Sequence, residues 1–71
     1  MSIAEAEAEA AAGDPLEALG SEIRQLRRAR ELTLADLAEA SGLSLSFLSK
    51  IERGVSRPSL TSLQDIAEAL G

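Results

Sequence analysis

The side chains on which most enzymes and metal sites depend are missing from this chain. It contains no cysteine and no histidine, so thiolate and imidazole ligands and the commonest acid–base residue are absent. The sequence also lacks a nucleophile paired with a base and a glycine loop of the kind that cradles phosphate. Neither catalysis, nor a cofactor, nor a metal site is therefore predicted.

The basic residues are the remaining candidates for chemistry, and they are confined to one part of the chain. All seven lie between Arg24 and Arg57. Residues 1–17 hold five acidic residues and no basic one, which accounts for the whole net charge of −5. Residues 18–71 are neutral overall, with seven acidic and seven basic residues. Basic side chains of such a domain can gather on one face, as nucleic-acid binding requires.

Size and composition narrow the class of protein further. A chain of 71 residues forms one small domain with a modest core, so its function must rest on surface recognition. No apolar run approaches the roughly 20 residues of a membrane span, and the first residues lack a signal-peptide pattern. Apart from Phe47 the apolar residues are aliphatic or Met1, which favours close-packed helices over a sheet. We expect an all-α, cytoplasmic protein that does not contact a membrane.

Two segments with different patterns make up the chain. Residues 1–13 form an acidic leader that alternates Ala and Glu without an apolar stripe, and we expect this leader to be flexible. The folded domain is expected over residues 14–71. Asp14 is a candidate N-cap and Pro15 occupies the first helical position, which is a credible helix start.

Hydrophobic spacing and capping residues predict four helices in this domain. The first runs to about Glu31. A capping box of Thr33 and Asp36 opens the second, a third follows the cap Ser44, and the last follows the cap Ser59. The predicted apolar faces consist of Leu16, Leu19, Ile23, Leu26, Ala29, Leu34, Leu37, Ala38, Leu48, Ile51, Leu60, Leu63, Ile66, Ala67 and Leu70.

The second and third helices are short and are joined by a tight turn, which is the pattern of a helix-turn-helix motif. Ala38 leaves room where the two helices cross, and Gly42 can take the positive φ that the turn needs. Leu43, Leu48 and Ile51 would hold the second of these helices, residues 45–53, against the core. This spacing alone is moderately specific, because any small helical bundle can supply such residues.

The stretch LTLADLAEASGLSLSFLSKIERGVSRPSLTSLQDIAEALG, residues 32–71, resembles the XRE-type helix-turn-helix family of phage repressors and Cro proteins. The resemblance extends back through LGSEIRQLRRAREL at residues 19–32 and includes the signatures LSKIERG and RPSL…IAEALG. It implies a lambda-repressor-like DNA-binding domain of four to five helices. The sequence looks most like regulators in which a cupin sensor domain follows this domain, so we expect a fragment of a longer regulator without its cupin domain.

The resemblance implies that the third helix lies in the major groove of an operator. Lys50 would suit guanine O6 and N7, and Leu45 a thymine methyl group. The residues expected to contact bases are Leu45, Ser46, Ser49 and Lys50. The residues expected at phosphates are Thr33, Leu34, Phe47, Arg53, Ser56 and Arg57.

Leu34 departs from the family pattern, because many members have a phosphate-binding glutamine there. We expect the Thr33 hydroxyl or backbone, together with the N–H groups at the start of the second helix, to replace that contact. The resemblance also implies a partly buried salt bridge between Arg27 on the first helix and Glu52 on the third. Arg24, Arg28 and Arg30 are expected to form a solvated face away from the groove.

The sequence thus predicts a sequence-specific transcription regulator, a repressor, that binds double-stranded operator DNA as a homodimer. Two alternatives remain open: a protein-interaction module that uses the face of the second and third helices, and an antitoxin that represses its own operon. Placement of Lys50, Arg53 and Arg57 beside one surface would favour DNA binding over protein interaction.

Overall fold

A computed structural model describes residues 14–71, and the predicted leader of residues 1–13 lies outside the described residues. Residues 14–71 contain four α-helices and no strand, so the all-α prediction is confirmed. The helices are α1 (Pro15–Ala29), α2 (Leu34–Ser41), α3 (Leu45–Glu52) and α4 (Leu60–Leu70). α1 packs against α3, while α2 packs against both α3 and α4.

Each helix begins at a side chain that accepts a backbone N–H bond, as the sequence predicts. Ser44 Oγ accepts from Phe47 N at 3.0 Å and so defines the start of α3. At α2, Thr33 Oγ1 accepts from Asp36 N at 3.0 Å, and the Asp36 carboxylate accepts from Thr33 N at 2.9 Å. The bond from the Thr33 backbone N–H lowers the pKa of Asp36 because it favours the ionised carboxylate, and the Thr33 side chain acts in the same direction. The N-caps of α1 and α4 are Asp14 and Ser59.

Glycines in the left-handed conformation follow α2 and α3, and the one after α2, Gly42, is in the turn where the sequence predicts it. Gly42 and Gly54 both have φ 74°. After α3, Gly54 N donates to Ile51 O at 3.0 Å and Val55 N donates to Lys50 O at 2.9 Å. This pair of bonds is a Schellman motif, which turns the chain sharply away from the helix end.

α1 ends at Ala29, two residues before the predicted end at about Glu31. Glu31 itself has φ 57° and is the only non-glycine residue of the described chain with a positive φ. Its N–H donates to Arg28 O at 2.9 Å, and Leu32 N donates to Arg27 O at 3.1 Å. A Schellman motif without its usual glycine therefore ends this helix.

The core lies between the apolar faces of all four helices and consists of residues from the predicted stripes. Its six buried residues are Ile23, Leu37, Leu48, Ile51, Ile66 and Leu70. Each of them contributes free energy by burying an aliphatic side chain, about 1.5–3 kcal/mol when fully buried.

Four residues of the predicted apolar faces are exposed, so the prediction that they are buried is wrong. Leu60 is 75% exposed and Leu26 is 39% exposed, and Ala29 and Ala67 are exposed as well. Helical periodicity identifies the face of a helix that points inward, but not how far along the helix its neighbour extends. Pro58 is buried although no stripe includes it.

Gly20 brings α1 into direct backbone contact with the last turn of α3. A Cβ at Gly20 would overlap the Ile51 carbonyl oxygen and lie 2.7 Å from the Glu52 carbonyl oxygen. No residue with a side chain fits this position without separating the two helices. This contact was not predicted from the sequence, although an isolated glycine within a helical stripe can mark a close packing contact.

An ion pair between Arg27 of α1 and Glu52 of α3 also joins these two helices. The Arg27 guanidinium donates to both Glu52 carboxylate oxygens, from Nε at 2.8 Å and from Nη2 at 3.0 Å. Its Nη1 donates to Leu32 O at 2.8 Å. The two side chains are only 12% and 7% exposed. The bond to Glu52, helped by its charge, raises the pKa of Arg27 despite the opposing effect of burial.

We expect Gly20→Ala to destabilise the domain by about 1–3 kcal/mol, because overpacking outweighs the roughly 1 kcal/mol that alanine gains in helix propensity. Urea denaturation monitored by circular dichroism measures the free energy of unfolding. Ser21→Ala, at an exposed site on the same helix, is the control and should change this free energy by less than about 0.5 kcal/mol. A Gly20→Ala protein as stable as the native one would contradict the close approach.

The ion pair should show strong coupling in a double-mutant cycle. Arg27→Met or Glu52→Leu alone strands a largely buried charge and should lower the free energy of unfolding by about 3 kcal/mol. The double variant should lose much less than the sum of the two, because no unpaired charge remains. The same urea measurement tests this, and additive losses would show that the two side chains do not interact.

Candidate nucleic-acid interface

The outward side of α3 is a continuous face of the molecule. Leu48 and Ile51 hold the opposite side of the helix in the core. At 100° per residue, positions 45, 46, 49, 50 and 53 fall within an arc of about 140°.

The four residues expected to contact bases all lie on this arc. Leu45 is 50% exposed, Ser46 and Lys50 are exposed, and Ser49 is half-buried. None of the four packs into the core, so all four have surface that another molecule can contact. Arg53, expected as the last residue of the helix, is its C-cap residue and is exposed.

Two basic residues lie on this arc, and a third follows in the loop after α3. Lys50, Arg53 and Arg57 are all exposed, and we call these three residues the cationic edge. Glu52 is the only acidic residue between positions 40 and 64, and its carboxylate is paired with Arg27. The charges of the cationic edge are therefore not offset by an acidic residue of their own segment.

The loop after α3 is held in place at both of its ends. The Lys50 carbonyl oxygen accepts from Val55 N at 2.9 Å and from Ser56 N at 3.3 Å, so the chain folds back over the end of α3. Gly54 lies against α1, because a Cβ there would be 2.8 Å from Glu17 Cα. Pro58 is buried. These contacts keep Ser56, which is half-buried, next to the last turn of α3.

The start of α2 differs from the expectation. Thr33 is exposed, but its N–H donates to the Asp36 carboxylate and its hydroxyl oxygen accepts from Asp36 N. The backbone of Thr33 is therefore already used, and only its hydroxyl hydrogen remains to donate. The Asp36 carboxylate also sits at the helix N-terminus, where its charge opposes a phosphate. Of the two alternatives expected at Thr33, the backbone N–H is engaged by the capping box, whereas the hydroxyl, together with the N–H groups that open α2, stays a prediction.

Two other residues expected near phosphates form the border between this face and the core. Leu34 and Phe47 are half-buried and pack against the core. Their exposed portions are apolar, so any contact they make with a sugar–phosphate backbone is a van der Waals contact.

Three further arginines lie on α1 or directly after it. Arg24 and Arg28 are exposed. Arg30 bridges the ends of two helices, since its guanidinium donates to Leu26 O at 3.2 Å and to Gly71 O at 3.3 Å.

The described part of the chain, residues 14–71, places no three His, Cys, Asp or Glu side chains where they could share a metal ion. It encloses no pocket. None of its helices is both long enough and apolar enough to cross a membrane.

The chain is similar to known transcription regulators. The helix-turn-helix family matches residues 23–71. The immunity repressor protein of Bacillus phage phi105 is 45% identical over 53 residues, which cover 75% of this chain and 37% of the repressor. An uncharacterized HTH-type transcriptional regulator of Mycobacterium tuberculosis is 44% identical over 55 residues, 78% of this chain and 22% of that protein. The chain thus spans well under half the length of these relatives.

The fold is also known from a crystal structure. The restriction-modification controller protein C.AhdI from Aeromonas hydrophila has a TM-score of 0.77 and 38% identity, over 78% of this chain and 83% of that protein. This similarity confirms the lambda-repressor-like fold that the sequence predicted. Because the family match covers more than half of its residues, the chain belongs to the XRE-type, lambda repressor/Cro-like, helix-turn-helix family.

Proposed function

We propose that this domain binds double-stranded operator DNA, with α3 in the major groove, as the DNA-binding part of a transcription regulator. The observation that carries this proposal is the outward arc of α3, which combines hydrogen-bonding side chains with the cationic edge at one end of the helix. An α-helix fits the major groove, and cations beside it can neutralise phosphates on either side.

Base contacts would come from the first four of the five arc residues. Lys50 is suited to guanine O6 and N7, and Leu45 to a thymine methyl group. Ser46 and Ser49 can donate to or accept from several bases. None of these side chains is an amide that reads adenine with two bonds. We therefore infer that DNA shape and bridging water supply part of the specificity.

Phosphate contacts would come from the last residue of the arc and from residues outside it. Arg53 and Arg57 supply charge, and Ser56 and Thr33 supply hydroxyl donors. These contacts position the protein without reading sequence, so their loss weakens binding to all duplexes alike.

The assembly around this domain is part of the proposal. We infer a homodimer that binds two half-sites one helical turn, about 34 Å, apart. A repressor role agrees with the name of the phage relative. The proposed cupin sensor domain rests on the sequence resemblance alone.

Arg53→Ala should reduce the slope of log affinity against log salt by about 0.9, because one phosphate contact is lost. Fluorescence anisotropy with a duplex selected from a random pool, titrated at several KCl concentrations, measures this slope. Arg30→Ala, the control, also removes one positive charge, at the C-cap of α1. It should leave the slope unchanged. Binding that does not depend on salt, or equal effects of the two substitutions, would favour the protein-interaction module instead.

Lys50→Ala should change which sequences are preferred rather than only how tightly DNA binds. We expect a loss of about 1–3 kcal/mol on the preferred duplex and relaxed specificity at one base pair. Selection from a random duplex pool, run in parallel for native, Lys50→Ala and Arg53→Ala proteins, separates the two roles. An unchanged consensus for Lys50→Ala would exclude this residue from base contact.

A further inference from the structure

The point at which residues 1–13 join the domain lies beside the proposed interface. α1 begins at Pro15, and its first turn rests on the loop after α3. A Cβ built on Gly54 would lie 2.8 Å from both Glu17 Cα and Glu17 Cγ. Arg53, of the cationic edge, directly precedes Gly54 in the chain. The N-terminal segment therefore enters the fold near the turn that directly follows Arg53.

The charges of the two parts are complementary. The N-terminal segment contains Glu5, Glu7 and Glu9 and no basic residue. The cationic edge has three exposed bases, and Glu52, the acidic residue of its segment, is already paired with Arg27.

The segment is also long enough to reach every part of the face. Thirteen residues span at most about 45 Å when fully extended. The eight residues of α3 extend over only about 12 Å.

We propose that Glu5, Glu7 and Glu9 bind the cationic edge within the same molecule and compete with DNA phosphates for it. Single exposed ion pairs are weak. A tether, however, keeps the carboxylates at an effective concentration in the millimolar range. Several weak pairs together are therefore sufficient to populate the intramolecular contact. Salt screens these pairs, so the competition is strongest at low ionic strength. The consequence for DNA rests on the proposed function, whereas the contact itself does not.

The contact can be tested without DNA on the full chain. Because the chain has no cysteine, Ser2→Cys allows a single spin label at the N-terminal segment. We expect paramagnetic broadening of the amide signals of Lys50, Arg53 and Arg57 at low salt. The broadening should disappear in about 0.5 M KCl, where the Debye length is below about 5 Å, and in the Glu5→Gln, Glu7→Gln, Glu9→Gln protein. Broadening that is absent, or that is centred on Arg24 and Arg28 of α1, overturns the proposal.

The competition is tested by comparing the DNA affinities of two triple variants that have the same net charge. The leader variant is Glu5→Gln, Glu7→Gln, Glu9→Gln, and the control is Glu31→Gln, Glu39→Gln, Glu68→Gln, whose sites are exposed on other parts of the fold. At low salt the leader variant should bind a duplex roughly threefold or more tightly than the native protein, which corresponds to weak tethered pairs. This gain should vanish at high salt, and the control should gain much less.

The outcomes separate the two proposals. Equal gains for the leader variant and the control would mean that net charge alone acts, and the competition would be refuted. Broadening at the cationic edge in a protein that binds no DNA would support the intramolecular contact and would refute the DNA-binding proposal instead.

Discussion

The close approach of α1 to the last turn of α3 is the contact on which the rest of the structure depends. Gly20 places the backbone of α1 against the Ile51 and Glu52 carbonyl groups. About two turns further along α1, Arg27 binds the Glu52 side chain with two hydrogen bonds. At the other end of this contact, Gly54 lies against the backbone of α1. Together these contacts determine how α3 is oriented, and hence which of its faces is outward.

The same contact shapes the electrostatics of the interface. Pairing with Arg27 neutralises Glu52, the acidic residue nearest to the cationic edge in the sequence. An acidic protein can thus present a local positive face, because the negative charge is concentrated elsewhere along the chain. Asp36 has the opposite effect at the start of α2, since its capping role places a carboxylate where a phosphate would otherwise be attracted.

A small core is sufficient for this arrangement because most of the helix geometry is determined locally. Side-chain caps satisfy backbone donors at the start of all four helices, and left-handed residues close three of the turns. The six buried aliphatic residues then only need to hold these preformed elements together. The outward face of α3 makes little contribution to the core, so its side chains are free to be selected for binding.

Local interactions explain what the sequence by itself determined: the four helices, their caps, the glycine turn and the six core residues all follow from spacings of one to four residues. The candidate side chains on α3 were found by family resemblance, and their shared face follows from helical periodicity. Only the tertiary structure decided that Gly20 and Gly54 are sites of close approach, that Leu60 is exposed, and that the turn after α3 lies against the first turn of α1. Those features depend on residues about 30 or more positions apart, and a pattern within one helix contains no information about the surface against which that helix packs.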